Sequence, residues 1–176
     1  MTHLNKQEFW EWAYDDLLAN TTRGVLAEYI VARALGIVDK RVEWHRHDLD
    51  VDGFGVEVKS AAYVQSWKQT RDSVIGFGIG PTMGWDAGTD TYPAIAERSA
   101  DVYIFCLLKG KLGDHINPLD AAQWTFYVLP TSVLNDKVPV QKRIGLARLK
   151  ALEPKECAYE GLKAAIHEAA AANRGA

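Results

Sequence analysis

Apolar residues recur at helical intervals over Phe9, Trp10, Trp12, Ala13, Tyr14 and Leu17, and Asn5 followed by Glu8 has capping-box spacing, so a helix is predicted over 6–19. Asn20, Thr21 and Thr22 offer a second N-cap, and Val25 to Leu35 continues as a nearly all-apolar helix that stops at Gly36. From Arg41 to Asp48 the pattern switches to alternation, with Val42 and Trp44 on one face and Glu43 and His45 on the other. Asp50, Asp52, Gly53 and Gly55 then supply a turn into a strand over Val56–Val64, which closes a hairpin. In that strand Val56, Val58, Ala62 and Val64 share one face, and Glu57, Lys59, Ala61 and Tyr63 share the other.

Ser73 to Ile79 reads as a third strand weakened by Gly76 and Gly78, and Gly80, Pro81, Gly84, Gly88 and Pro93 make 80–99 a long loop. Val102–Leu108 and Trp124–Leu129 are continuous apolar runs of buried-strand character, joined through 110–123, and Leu162–Ala172 is an Ala-rich terminal helix. Helix, helix, three strands, loop, two strands and helix imply an α/β sheet flanked by helices.

The 176 residues are 48% apolar and 24% charged with 6 prolines, which excludes disorder and repeat arrays and implies one globular domain over 1–176. A net charge of −3 removes any global pull on polyanions, so a nucleic-acid site must be local. The acidic N-terminus, Met1–Asp16, is unlike a secretory signal, and Val102–Leu108 falls far short of the ~18 residues of a membrane span. With Cys106 and Cys157 outside any CxxC spacing, the expectation is a cytoplasmic protein with reduced thiols and no membrane partner.

The chemistry concentrates between His47 and Ser60. Strand alternation puts Glu57 and Lys59 side by side, and the hairpin brings Asp48 next to Glu57. Two carboxylates so placed repel unless a cation lies between them, and hard oxygen ligands suit Mg²⁺ or Mn²⁺. A lysine beside them can orient a water or stabilise charge on a phosphate, which is the equipment of metal-assisted phosphodiester hydrolysis. Glu28 falls among Val25, Val31, Ala32 and Leu35 on an apolar helix face, where a carboxylate needs a partner.

Asp48 followed by Glu57-Val58-Lys59, preceded by a helix containing Gly24-Val25-Leu26-Ala27-Glu28, resembles the PD-(D/E)XK nuclease superfamily, the restriction-endonuclease-like fold. The phrase Glu57 to Trp67 is especially similar to bacterial members. The resemblance covers residues 22–67 and departs in two places: His47 stands where a proline is usual, and no helix pattern lies between the third strand and Val102. It implies a mixed β-sheet of about five strands flanked by helices. It further implies Asp48 and Glu57 as metal ligands, the Val58 carbonyl as another, Lys59 as the catalytic lysine, and Glu28 as the helix carboxylate seen in many members. Gln65 shares the face of Glu57 and Lys59 if the strand runs that far, and would then contact metal-bound water or substrate. The implied activity is a Mg²⁺- or Mn²⁺-dependent nuclease acting on DNA; the alternative is an inactive member that binds nucleic acid or protein.

Other constellations are weaker. Asp50 competes with Asp48 through strand parity, and Asp52 suits a turn. His45 and His47 share a strand face as a metal pair would, but Asp48 lies on the opposite one. Ser60 and Ser66 have no nearby His, and Gly76 to Gly80 lacks the Lys-Ser/Thr ending of a phosphate loop. Trp67, Trp85 and Trp124 serve either base stacking or the core. Lys137, Lys142, Arg143, Arg148 and Lys150 form a stretch without acids, which leaves −8 on the rest of the chain. That asymmetry suits a phosphate-binding stripe including Lys142 and Arg143, extended by Lys68 and Arg71, or else a solvated face. A homodimer would suit the cutting of two strands.

Overall fold

The computed structural model describes residues 3–43, 46–83, 91 and 94–175. Asn5 caps the first helix, α1 (Lys6–Tyr14), by accepting from the backbone N–H groups of Gln7 and Glu8. This helix stops five residues before its predicted end and buries none of its side chains, so its aromatic spacing is not matched by a packing partner among the described residues. The second helix, α2 (Asn20–Leu35), begins earlier than predicted and ends as predicted at Gly36, whose φ of 82° is left-handed.

The strands are β1 (Leu49–Val51), β2 (Phe54–Ala62), β3 (Gly76–Gly78), β4 (Val102–Leu108), β5 (Trp124–Pro130), β6 (Arg143–Gly145) and β7 (Lys155–Cys157). Between and after the later strands lie α3 (Thr131–Lys137), α4 (Leu146–Lys150) and α5 (Tyr159–Arg174). Five strands form one mixed sheet in the order β1-β2-β4-β5-β7, as expected, in which β2 and β4 are parallel and the other neighbours antiparallel. Helices α2 and α5 cover one face over Val56, Val58, Ile104, Phe126 and Val128. On the other face Tyr103, Phe105, Leu107, Tyr127 and Leu129 pack beneath Phe77, Ile79 and Ile144 of the small β3–β6 sheet, with Leu134 of α3 and Leu149 of α4. Trp124 is core, its indole N–H donating to Pro118 O at 2.9 Å. Trp67 is exposed, and Trp85 lies outside the described residues.

Several expectations are corrected. The strand predicted over Arg41–Asp48 is irregular wherever it is described, and its pairing role passes to the three residues of β1. Asp52 and Gly53, with φ of 49° and 76°, both occupy the left-handed region that a tight two-residue hairpin turn requires. The predicted third strand shrinks to Gly76–Gly78 and pairs with β6 rather than the main sheet, and β2 ends at Ala62 rather than Val64. The elements α3, β6, α4 and β7 are too short to show a period in the sequence. Within the predicted loop, Thr82 and Glu97 pair as an isolated bridge.

Two groups tie the layers together near the start of β2 and β4. Asp101 accepts from Gly55 N–H at 2.8 Å and from the Asn173 amide of α5 at 3.2 Å, while Asn173 accepts from Ser132 N–H in the first turn of α3. At the hairpin turn, Arg174 donates to Gly53 O at 3.0 Å and lies over the Phe54 ring. Removing the Asp101 carboxylate strands both donors in a half-buried place, so Asp101→Ala is expected to cost about 1–3 kcal/mol. Asp101→Asn, which keeps an acceptor for Gly55, is expected to cost less; thermal melting of the two variants checks the order.

Candidate active site at the open edge of β2

β2 has nine residues, but β1 pairs only with its first three, Phe54–Val56. Past Val56 that edge of β2 carries no strand among the described residues, and Asp48 takes the place of one. Its backbone N–H donates to Val56 O at 3.1 Å, and its carboxylate Oδ2 accepts from Val58 N–H at 2.7 Å. Because the N–H and C=O of one strand residue face the same side, the Val58 carbonyl opens on this edge as well. The neighbouring His47 packs its ring on Gly55 so tightly that a Cβ there would stand 2.6 Å from it, and its Nε2 lies 2.5 Å from Asp50 Oδ1. His45 lies outside the described residues.

Glu57 and Lys59 project from β2 on the face opposite α2, and the Lys59 ammonium is bonded to the Glu57 carboxylate. Their side chains are 19% and 31% exposed, so the pair is half-sheltered. The Asp48 carboxyl titrates above the usual range, first because burial disfavours its charge and next because Glu57 repels it. The Val58 N–H, Lys59 and Arg41 oppose that shift without cancelling it. Asp48 thus feels the charge of Glu57, and Lys59 and Arg41 offset it in part.

Glu28 has the partner its apolar surroundings demanded. Arg41 Nε donates to Glu28 Oε2 at 2.5 Å, and the charges of Glu43 and then Asp48 also reach Arg41, behind that of Glu28. Sequence reasoning missed Arg41; the requirement that Glu28 be paired was the available signal.

The remaining predicted residues divide. Lys142 lines a cleft of roughly 400 Å³ together with Glu57, Lys59, Gly78, Gly80, Pro81, Thr82, Ser99 and Tyr103. Arg143, next to it on β6, lies instead opposite Gly78 with its guanidinium against Gly76. Lys68 and Arg71 sit in a loop past the far end of β2 that forms its own shallow concavity with Trp67, Gln69, Asp72 and Val74. Gln65 does not share the face of Glu57, because β2 has already ended. It is buried against α2, where its Oε1 accepts from Arg23 at 3.0 Å and its amide donates to Ala62 O.

Two more residues frame the cleft. Tyr103 stands in direct register with Glu57 on the neighbouring strand and shares its face. Burial, then the charges of Glu57 and Asp48, push its phenol well above the ordinary range, so it stays protonated. Arg98 donates to Ile79 O, Asn135 Oδ1 and Val138 O at 2.7–2.9 Å, and Ile79 N–H donates to Lys142 O. It therefore clamps the segment that carries Lys142. Tyr103 was hidden in an unbroken apolar run and Arg98 in a predicted loop.

Among the described residues no three His, Cys, Asp or Glu side chains cluster closely enough to form a metal cage. What the edge of β2 does offer is two mutually repelling carboxylates and an outward backbone carbonyl. That donor set fits Mg²⁺, which usually takes one or two carboxylates and fills its other positions with water and phosphate oxygens. Among the described residues no helix is long and apolar enough to cross a membrane.

A search of curated proteins finds no match to this chain. A family model does match, over residues 5–137, and that span contains α1, α2, the whole hairpin with Asp48, Glu57 and Lys59, and both central strands β4 and β5. The chain belongs to the bacteriophage T4 endonuclease IV family, and so to a family of endonucleases.

Proposed function

We propose that the chain is a divalent-metal-dependent endonuclease that hydrolyses phosphodiester bonds in DNA, built on the PD-(D/E)XK pattern. The observation that carries this reading is the placement of Asp48, Glu57, Lys59 and the Val58 carbonyl along the open edge of one strand, with Asp48 buried and within reach of the Glu57 charge. Asp48, Glu57 and Val58 O would hold Mg²⁺ or Mn²⁺, and such an ion supplies Lewis-acid polarisation of a phosphoryl oxygen and a more acidic bound water.

The chain's own residues do the rest. The Val58 N–H fixes the Asp48 carboxylate through one oxygen. Lys59, kept beside Glu57, presents an ammonium to phosphate, where it offsets the charge that develops on the oxygens or orients a water. Glu28 acts at a distance, through Arg41, by holding the charge balance behind Asp48.

The direct experiment is incubation with plasmid, linear, nicked and branched DNA in Mn²⁺, in Mg²⁺ and in chelator. Cleavage is expected only with metal, and Lys59→Ala is expected to lower the rate by about 10²-fold or more. Cleavage in chelator, or an unimpaired Lys59→Ala, would count against the assignment.

A second expectation concerns stability without substrate. A carboxyl whose folded pKa is raised binds its proton more tightly in the folded state, so it subtracts stability as pH rises through the carboxylate range. Asparagine keeps an acceptor for Val58 N–H and carries no charge. In chelator, Asp48→Asn is therefore expected to melt no lower than wild type near pH 7, with its relative advantage shrinking toward pH 4. At about ten times its dissociation constant, Mn²⁺ is expected to add ~1.4 kcal/mol to the wild type, about 4 °C, and most of that shift should vanish in Asp48→Asn. An apo variant that is destabilised yet retains the metal shift would contradict the site.

A further inference from the structure

The cleft beside Glu57 and Lys59 contains charge and hydrogen-bonding capacity that the cleavage site does not use. Lys142 lines it with no ion-pair partner among the described residues, whereas Lys59 is already bonded to Glu57. Behind the wall, Arg98 is only 8% exposed, and its bonds run to backbone carbonyls and the Asn135 amide oxygen, with no carboxylate among them. With Glu57 paired to Lys59, Lys142 is the lining cation left without an ion-pair partner among the described residues, and Arg98 adds positive charge behind the segment that carries it, which together favour an anion in the cleft.

The hydroxyls of the wall differ in the same sense. Ser99 already donates to Arg46 O at 2.5 Å. Tyr103 has its ring buried, with 4% of the residue exposed, and packs against Phe105. Its hydroxyl is engaged by no described residue and is not among the buried polar atoms left without a partner, so it opens on the cleft. A rigid ring thus presents a free O–H donor, next to Glu57 in register, toward the same space that Lys142 lines. Gly78 and Gly80 line this space without side chains, which lets a ligand's backbone approach the chain closely.

We propose that Tyr103 and Lys142 form a phosphate-binding subsite that receives a backbone phosphate of the nucleic-acid substrate neighbouring the one cleaved, Tyr103 through its O–H and Lys142 through its charge. The proposal rests on the nuclease reading above. It makes Tyr103 a substrate-positioning donor rather than a core aromatic, and it separates Lys142 from the other basic residues of 137–150, none of which lines this cleft.

The two contacts have different salt signatures, because only a cation releases counterions when it meets a phosphate. Binding of a fluorescent DNA oligonucleotide is measured by anisotropy in chelator over a range of salt, for wild type, Tyr103→Phe, Lys142→Gln and, as a control on α5, Lys163→Gln. Tyr103→Phe removes one oxygen and keeps the ring. It is expected to weaken binding by about fivefold with an unchanged salt slope, and to lower kcat/KM in Mn²⁺ with an unchanged melting temperature. Lys142→Gln is expected to weaken binding and reduce the slope of log K against log salt by about 0.9, with Lys163→Gln matching wild type. Tyr103→Phe binding and cutting like wild type, or Lys142→Gln indistinguishable from Lys163→Gln, overturns the subsite while an active wild type leaves the nuclease reading standing. A wild type that neither binds nor cleaves DNA overturns both.

Discussion

The candidate site depends on a strand that is longer than its partner. β2 runs nine residues, β1 covers three of them, and the next exposed N–H, that of Val58, is taken by the side chain of Asp48. An unsatisfied edge is ordinarily a liability, since it invites pairing with another chain. Here one carboxylate closes it and in the same act is pinned where it meets Glu57. The geometry follows from economy of backbone: had β1 continued, its own carbonyl would have met Val58 and Asp48 would have been pushed away.

That arrangement also explains why charge and burial coexist here. The opposite face of β2 is packed by Val56 and Val58 against α2, so the strand cannot turn, and Glu57 and Lys59 are obliged to stand toward the small β3–β6 sheet. The second sheet does not touch bulk solvent on its inner side; it lies over Phe105 and Leu107 and leaves a gap only where Gly78 and Gly80 are bare. The cleft is therefore a consequence of two sheets that approach through large side chains at one end and glycines at the other. Arg98, bonded to Ile79 O on one segment and to Val138 O and Gln141 O on another some sixty positions away, keeps that spacing fixed.

Much of this was legible beforehand, and what was not has a common physical cause. The hairpin and the two central strands of the mixed sheet followed from the residue pattern, and the two faces of β2 from simple alternation, which packing then enforces; the three-residue β7 left no period to read. The strand over Arg41–Asp48 was misread because alternating residues satisfy the pattern whether or not a partner strand is available. Gln65 was misplaced by two residues of overextended strand, enough to move it to the α2 side. The stretch 137–150 read as one basic surface, but its residues belong to two helices and a strand, and Lys142 alone lines the cleft. Arg41, Arg98 and Tyr103 were missed because their roles depend on which strands are neighbours, which a single sequence does not encode locally.

The clasp at the end of α5 governs the site at one remove. Arg174 holds the turn of the hairpin at Gly53, and Asn173 reaches Asp101 beside Gly55, so the final turn of α5 braces the element that carries Asp48 and Glu57. These contacts span more than seventy and more than a hundred and twenty positions, and Asn173 and Arg174 lie outside the stretch that matches the family model. The register of the two carboxylates is thereby tied to a helix that supplies none of the site's own residues, so a change at that helix end reaches the site without touching it.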